Sequence, residues 1–218
     1  MESGHLMNRK VRAFIARVMR GEIVKPLYLA YYYTYLSFYD RRHGTSFSNS
    51  QPPEDMGSDP SGGTGNFPAH PRLVRRFLRQ AKIDRDAAIL DVGHGSGVVL
   101  HVAADLGYTH LAGVEYGQIP FDLSVRNVGE KATLMHGDAM DVDLRPYSVL
   151  TFFSPFRGEQ AVEFFEGVPD NTEVVLTINH DPIVEPVLQS KGFREDWSYQ
   201  HRVYENFNAK LWSRRTLA

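Results

Sequence analysis

The chain has 218 residues, a formal net charge of −2 at pH 7 and 42% hydrophobic residues. This length and composition suffice for one or two domains with a full core, and the near-neutral charge supplies no overall field for nucleic acid, which is not expected as a partner. The chain has no cysteine, which excludes disulfides and thiolate metal sites and agrees with a cytoplasmic location. No apolar run of about 18 residues predicts a membrane span.

Residues 1–43 are predicted to form an N-terminal helical cap. Residues 8–20 place apolar side chains on one helical face and surround them with arginines, a pattern that fits either packing on the chain's own domain or binding to a membrane surface or nucleic acid. Residues 23–42 carry seven aromatic side chains, too many for one buried face, so some rings should line a partly polar interface. Tyr39 is assigned to the wall of an acceptor pocket, with core packing as the alternative.

Residues 44–66 are predicted to form a flexible loop or lid. Gly, Ser and Pro occupy 13 of these 23 positions, and a segment of this length without secondary structure is usually a lid or disordered. We expect residues 62–67 to fold across a bound ligand. A helix over residues 71–81 then opens the third segment, residues 67–218.

Apolar strands alternate with helical patterns through most of residues 67–218, which predicts a parallel sheet covered on both faces. The expected strands are 87–92, 110–115, 132–136, 148–153 and 173–179. The expected helices are 96–106, 118–128, 158–167 and 181–191. Two strand-like runs, 193–200 and 202–214, follow without a helix between them and predict a closing antiparallel hairpin.

The first strand of this series ends in a glycine-rich turn. Asp91 is followed by Gly93, Gly95 and Gly97, and an apolar helical pattern begins at Val98. A strand, a glycine turn and a helix are typical of a nucleotide-binding βαβ unit. The third glycine comes one residue earlier than in the dinucleotide fingerprint G-x-G-x-x-G, whose last position is held here by Val98. The spacing therefore favours a ligand without a phosphate at this turn.

Acidic residues end the next two strands. Glu115 lies 18 residues beyond Gly97, where a carboxylate can accept both hydroxyls of a ribose. Asp138 could accept a hydrogen bond from the exocyclic amine of an adenine. A ribose, an adenine and no phosphate together indicate S-adenosylmethionine (SAM).

These motifs resemble those of a known family. The Asp91–Gly97 stretch, Glu115 and the Gly137–Ala139 stretch are similar to motifs I, II and III of the class I SAM-dependent methyltransferases, from about residue 72 to about residue 213. The resemblance implies an α/β fold with a seven-stranded, mostly parallel, doubly wound sheet whose last strand is antiparallel. It also implies that SAM is the cofactor, bound by Asp91, Gly93, His94, Gly95, Gly97, Glu115, Tyr116, Asp138, Ala139 and Ser154.

The turn after the fourth strand is assigned to the methyl acceptor. Residues 152–156 are similar to a set of small bacterial methyltransferases in which Asn-Pro-Phe often follows this strand, and Ser154 replaces that Asn. We assign Ser154 to orienting the target nitrogen, with Pro155 and Phe156 beside the substrate. A turn that only bounds the cofactor pocket is the alternative. His180, after the fifth strand, could act as a general base for an oxygen acceptor.

Three functions remain open from the sequence. The first is transfer of a methyl group from SAM to an amine or hydroxyl of a small molecule or a protein side chain. The second is nicotinamide-dependent oxidoreduction, against which Val98 argues. The third is SAM binding without transfer. No spacing of histidines and carboxylates resembles a metal site, so no metal is expected.

Overall fold

A computed structural model describes residues 23–49, 68–179, 181–203 and 207–214. The amphipathic helix expected over residues 8–20 and the closing segment expected over residues 62–67 lie outside the described residues, as does His180. None of the helices in the described ranges is long and apolar enough to cross a membrane.

A seven-stranded sheet forms the centre of the molecule, in the order β3-β2-β1-β4-β5-β7-β6. Its strands are β1 (Ile89–Val92), β2 (Leu111–Glu115), β3 (Thr133–His136), β4 (Val149–Phe152), β5 (Val174–Ile178), β6 (Arg194–Tyr199) and β7 (Ala209–Ser213). β7 runs antiparallel to both of its neighbours, and the β1–β5 pairs are parallel. The predicted fold, with its closing antiparallel hairpin, is confirmed.

Six α-helices accompany the strands in the described part of the chain. They are α1 (Val24–His43), α2 (Pro71–Gln80), α3 (Val98–Asp105), α4 (Gln118–Val128), α5 (Glu159–Glu166) and α6 (Glu185–Ser190). Local chemistry fixes their ends: Gly44 closes α1 in the left-handed conformation with φ +68°, and Pro71 opens α2, whose second residue donates its N–H to the ring of His70. The helix expected over 181–191 starts instead with a 3₁₀ turn, Pro182–Val184, which Asp181 caps.

Side chains from the two faces of the sheet enter two separate cores. Along β1, Ile89 faces one core, and Leu90 and Val92 face the other, as the alternation of a strand requires. The first core contains residues of α1, α2 and α3, and the second contains residues of α5 and α6. Both faces of the parallel strands are therefore covered, as in a doubly wound fold.

The described helix of the predicted cap, α1, packs into the first core. Tyr32 and Leu36 are fully buried, and the Tyr32 hydroxyl donates to the carbonyl of Pro68. Some of the aromatic side chains of α1, such as Tyr32, are therefore part of the first core. The division of the chain at residues 43 and 66 stays a prediction.

Candidate cofactor site at the carboxyl edge of the sheet

The strand ends that carry the motif residues meet at one edge of the sheet. Val92 lies beside Val114 and Phe152 at the ends of β2 and β4, and Glu115 lies beside His136 at the end of β3. From β1 the chain continues to β2 and β3 on one side and then crosses back to β4 on the other side of β1, so the turn after β1 lies at the topological switch point. Open α/β sheets bind their ligands at such a point.

The turn after β1 depends on glycine for two different reasons. Gly93, Gly95 and Gly97 have φ values of +66°, +54° and +87°, a region that L side chains rarely adopt. A Cβ on Gly93 would also lie 2.1 Å from Cβ of Pro155, and a Cβ on Gly97 would lie 2.5 Å from Cγ2 of Val128. Two of the three glycines are therefore required by packing within the protein, whatever they do for a ligand.

Glu115 forms a hydrogen bond with the glycine turn. Its Oε2 accepts the backbone N–H of Gly95 at 2.8 Å, and its Oε1 accepts that of Gly117 at 2.8 Å. Burial raises the pKa of Glu115, and the two amides oppose that shift. Each carboxylate oxygen has a second lone pair. The carboxylate is thus fixed in orientation and keeps acceptor capacity on both oxygens.

His94 fills the space above a glycine of β2. A Cβ on Gly113 would lie 2.6 Å from Cδ2 of His94, and the Nδ1 of His94 lies 2.9 Å from the carbonyl of Gly95. The ring is buried, which lowers its pKa to about 4, so at neutral pH Nδ1–H donates to that carbonyl. Its buried Nε2 has no hydrogen-bond partner among the described residues.

Asp91 is a buried acid beside the same turn. The hydroxyl of Thr151, its neighbour on β4, donates to Oδ1 at 2.6 Å. Burial raises the pKa of Asp91 to about 7, and the Thr151 hydroxyl and the charge of Glu115 act in opposite directions as smaller effects. Oδ2 is buried and lacks a hydrogen-bond partner in the described ranges. Asp91 and His94 each present a polar atom that a bound molecule or water could satisfy.

The ends of β2 and β3 complete the predicted cofactor set. Gly137 donates its N–H to the carbonyl of Glu115 at 3.0 Å, which joins the two strand ends. Asp138 Oδ1 accepts the N–H of Met140 at 2.9 Å and caps a short 3₁₀ turn that starts at the buried Ala139. Tyr116 is 53% exposed.

The turn after β4 is joined to the end of β5 by a pair of unusual residues. Ser154 and Asn179 both have left-handed backbones, with φ +39° and +54°. The Ser154 hydroxyl donates to the carbonyl of Asn179 at 2.6 Å. Non-glycine residues in this region are costly and concentrate at functional sites. The predicted site did not include Asn179, and the signal for it was an Asn directly after a strand, since Asn tolerates this conformation.

The residues assigned to the acceptor lie in different surroundings. Pro155 lies against Gly93 at the sheet edge. Phe156 is buried in the second core, with its ring 5.1 Å from that of Phe152. Tyr39 is buried in the first core, on α1. The structure therefore brings together the motif residues, Ser154 and Pro155, and it places Phe156 and Tyr39 in the cores.

No protein-family model matches the chain. It is 27% identical over 92 residues to a protein-lysine N-methyltransferase of Saccharolobus islandicus (strain REY15A), covering 39% of this chain and 57% of the relative. It is 28% identical over 128 residues to the EEF1A lysine methyltransferase 2 of Mus musculus, covering 56% and 49%. The chain thus spans about half the length of these curated relatives.

Solved methyltransferase structures have the same fold. A ribosomal protein L11 methylase from Lactobacillus delbrueckii subsp. bulgaricus has a TM-score of 0.54 at 16% identity, over 66% of this chain and 78% of that one. Magnesium protoporphyrin IX methyltransferase from Synechocystis PCC 6803 with bound SAM has a TM-score of 0.52 at 13% identity, over 66% and 77%. The chain has the Rossmann-like fold of class I methyltransferases.

Proposed function

We propose that the chain is a SAM-dependent methyltransferase that acts on an amine, with a protein lysine as the favoured acceptor. The observation that carries this proposal is the geometry of Glu115, whose two oxygens each accept one backbone N–H and each retain a lone pair. Two vicinal hydroxyls of a ribose match two such lone pairs. The related lysine methyltransferases support an amine rather than a hydroxyl as the acceptor.

The charge of the sheet edge also supports SAM as the cofactor. Asp91 lies on β1, Glu115 ends β2 and Asp138 follows β3, and a pyrophosphate at this acidic edge of the sheet would be repelled. SAM carries a sulfonium and an ammonium, and both suit an acidic edge. Glu115 would hold the ribose, and Asp138 would hold the adenine.

The buried polar atoms of the glycine turn support the same cofactor. Asp91 Oδ2 and His94 Nε2 are both acceptors when Asp91 is ionised and His94 is neutral. An ammonium is a donor with three hydrogens, so the amino-acid part of SAM could satisfy them directly or through water. Gly95 would let the backbone approach this part of the cofactor.

Methyl transfer asks little acid–base chemistry of the protein. SAM supplies an activated methyl on a sulfonium, so the chain's task is to align the acceptor and exclude water. We assign the positioning of the acceptor amine to the turn at Ser154 and Pro155, where Ser154 has a positive φ and donates a hydrogen bond to the Asn179 carbonyl. His180 stays a candidate base for an oxygen acceptor.

The test is a transfer experiment with SAM carrying a labelled methyl group. The full chain is incubated with this SAM and a protein extract, and the products are digested and analysed for methylated lysine. We expect label in a protein fraction and in methyl-lysine. Label in RNA or in small molecules would contradict the proposed acceptor. Binding of SAM without any transfer would favour the non-catalytic alternative, and binding of NAD in preference to SAM would favour an oxidoreductase.

A further inference from the structure

Three side chains with metal-binding chemistry converge between α1 and α3. His43 ends α1, and His101 and Asp105 stand one turn apart on α3. The Asp105 Oδ2 lies 3.7 Å from Nδ1 of His43 and 3.7 Å from Nε2 of His101, and the three ligand atoms lie within 4.8 Å of one another.

These separations suit a shared cation better than direct hydrogen bonds. A hydrogen bond between nitrogen and oxygen is about 2.7–3.2 Å long, so neither histidine bonds Asp105 directly at 3.7 Å. Ligands of a tetrahedral metal with bonds of about 2.0–2.1 Å stand roughly 3.4 Å apart. A small movement of His43, at the end of α1, toward Asp105 would shorten the observed distance between their ligand atoms to the value for a shared metal.

His101 is prepared as a ligand by its other ring nitrogen. Its Nδ1 lies 3.2 Å from the carbonyl of Asn127, which accepts a hydrogen bond from Nδ1–H, so the lone pair of the neutral ring is on Nε2. The side chain is 2% exposed, and within the described ranges Nε2 has no hydrogen-bond partner. A histidine that binds a metal through one ring nitrogen usually donates a hydrogen bond from its other ring N–H to a carbonyl or carboxylate in this way.

Aromatic rings hold the two imidazoles in place. The Tyr39 ring stacks on His43 with centroids 4.0 Å apart, and the Phe47 ring meets His101 edge-on at 5.4 Å. Such rings restrict the rotamers of the ligands and keep bulk water from one side of the cluster. A site whose ligands are locked by packing loses little entropy on binding.

Arg75 also forms an ion pair with the Asp105 carboxylate. Arg75 Nη2 lies 3.5 Å from the same Oδ2 of Asp105, and the charge of Lys131 also acts on His101. A metal would therefore compete with Arg75 for Asp105. The competing account of the cluster is an ion-pair network of Arg75, His43 and Asp105 with no metal, and the two accounts differ in what happens when Arg75 is removed.

We propose that His43, His101 and Asp105 bind one divalent transition metal of the zinc type, with water as the fourth ligand. Imidazole nitrogen and carboxylate oxygen are ligands that zinc accepts in a tetrahedral arrangement. The metal would fasten the end of α1 to α3. Asn127 extends this link, because its Nδ2 donates to the carbonyl of Ser96 in the glycine turn at 2.9 Å.

The test uses the full chain after chelation, with Zn²⁺ followed by calorimetry and Co²⁺ by visible absorption. We expect one equivalent of either metal, visible bands typical of tetrahedral Co²⁺, and a Tm that rises by about 5–10 °C at a hundredfold excess over Kd. His43→Ala and Asp105→Asn should lose all three responses. Both positions are partly exposed, so both variants should fold, and none of the three responses depends on SAM or on methyl transfer.

Two further variants separate the proposal from its alternatives. His110→Gln removes an exposed histidine that interacts with the carbonyl of Asp86, and it should bind Zn²⁺ as the unmodified chain does. Arg75→Gln removes the competing cation, so its affinity for Zn²⁺ should be unchanged or higher. Zinc binding that is no tighter in the unmodified chain than in His43→Ala would overturn the proposal. So would a lower affinity for Zn²⁺ in Arg75→Gln than in the unmodified chain, because removal of a competing cation cannot weaken a metal bound to Asp105.

Discussion

The two halves of the candidate site are built by different means. The cofactor side consists of glycines and of carboxylates at strand ends. Glu115 at the end of β2 accepts the backbone N–H of Gly95 in the turn after β1 and that of Gly117. On the acceptor side, two non-glycine residues, Ser154 and Asn179, hold left-handed backbones and bond to each other. The first half depends on residue types at fixed spacing, and the second depends on a contact between the turns that follow β4 and β5.

The two halves meet where Pro155 lies against Gly93, so this contact should give the largest effect. Gly93→Ala should destabilise the fold by about 2–5 kcal/mol, because its Cβ would lie 2.1 Å from Pro155 Cβ and φ is positive. The matched control is Gly107→Ala, where φ is also positive and nothing lies within 4 Å of the new Cβ; only the conformational cost of about 1–2 kcal/mol is expected there. Equal losses in urea unfolding would show that the contact between the halves is unimportant.

The hydrogen bond between Ser154 and Asn179 on the acceptor side should give the next largest effect. Ser154→Ala removes the hydroxyl that donates to the Asn179 carbonyl and should cost about 1–3 kcal/mol, the usual range when a buried partner loses its bond. Transfer should slow while the Kd for SAM stays the same, because the proposed role of Ser154 is to position the acceptor amine, whereas the cofactor contact that the family resemblance implies for Ser154 would weaken SAM binding. Ser190→Ala, which removes an exposed hydroxyl bonded to the Val187 carbonyl, should change stability by less than about 0.5 kcal/mol. A weaker SAM affinity in Ser154→Ala would place Ser154 on the cofactor side.

Asp91 and His94 should give the stability of the fold opposite dependences on pH. The raised pKa of Asp91, about 7 against 3.8, means that its contribution is present at low pH and is lost as the pH rises through that interval. The lowered pKa of His94, about 4 against 6.5, means that its contribution is present above pH 6.5 and is lost as the pH falls toward 4. Each slope is at most about 1.4 kcal/mol per pH unit.

Variants isolate the two slopes in urea unfolding between pH 4.5 and 6.5. Asp91→Asn should make the free energy of unfolding rise more steeply with pH than in the unmodified chain, and His94→Gln should make it rise less steeply or fall. Asp143→Asn is the control, since its carboxyl is exposed and forms a surface ion pair with Arg145. Slopes that do not change in opposite directions would contradict the description of the turn after β1 as a buried, titrating unit.

The smallest effect on the fold is expected at Tyr116, the exposed member of the cofactor set. Tyr116→Ala should leave the free energy of unfolding within about 0.5 kcal/mol of the unmodified value and should weaken SAM binding by up to about tenfold. Tyr31→Ala removes a ring of similar exposure from α1 and should not change the Kd for SAM. Equal effects of the two variants on SAM affinity would remove Tyr116 from the cofactor site.

The fold was readable from the sequence because its signals are local. Apolar runs and glycine turns located all seven strands, and the structure shortens most of them by one or two residues, as at β1, expected over 87–92 and found over Ile89–Val92. The helix expected over 181–191 was misplaced at its start, because Pro182 after the Asp181 cap favours a 3₁₀ turn. Glu115 and Asp138 were assigned to the cofactor because Glu115 ends β2 and Asp138 follows β3, and this assignment stays a prediction.

The features that sequence did not reveal depend on contacts across the fold. Gly113 has to be a glycine because the His94 ring lies against it. The residues next to Gly113 in the sequence do not indicate this contact. Phe156 was assigned to the acceptor by its neighbours in sequence; its ring packs in the second core, and its role toward the acceptor stays a prediction. The pairing of His43 with His101 and Asp105 joins two helices that are separated by α2 and β1 in the chain.

The central claim is that Glu115 accepts the ribose hydroxyls, and calorimetry with S-adenosylhomocysteine and its 2′-deoxy analogue tests it most directly. The unmodified chain and the control Glu166→Gln, an exposed carboxylate on α5, should bind the parent compound more tightly than the analogue by about 1–3 kcal/mol. Glu115→Gln should bind both weakly and with nearly equal affinity. If Glu115→Gln still discriminates between the two compounds as the unmodified chain does, the ribose does not lie on Glu115 and the account of the site is contradicted.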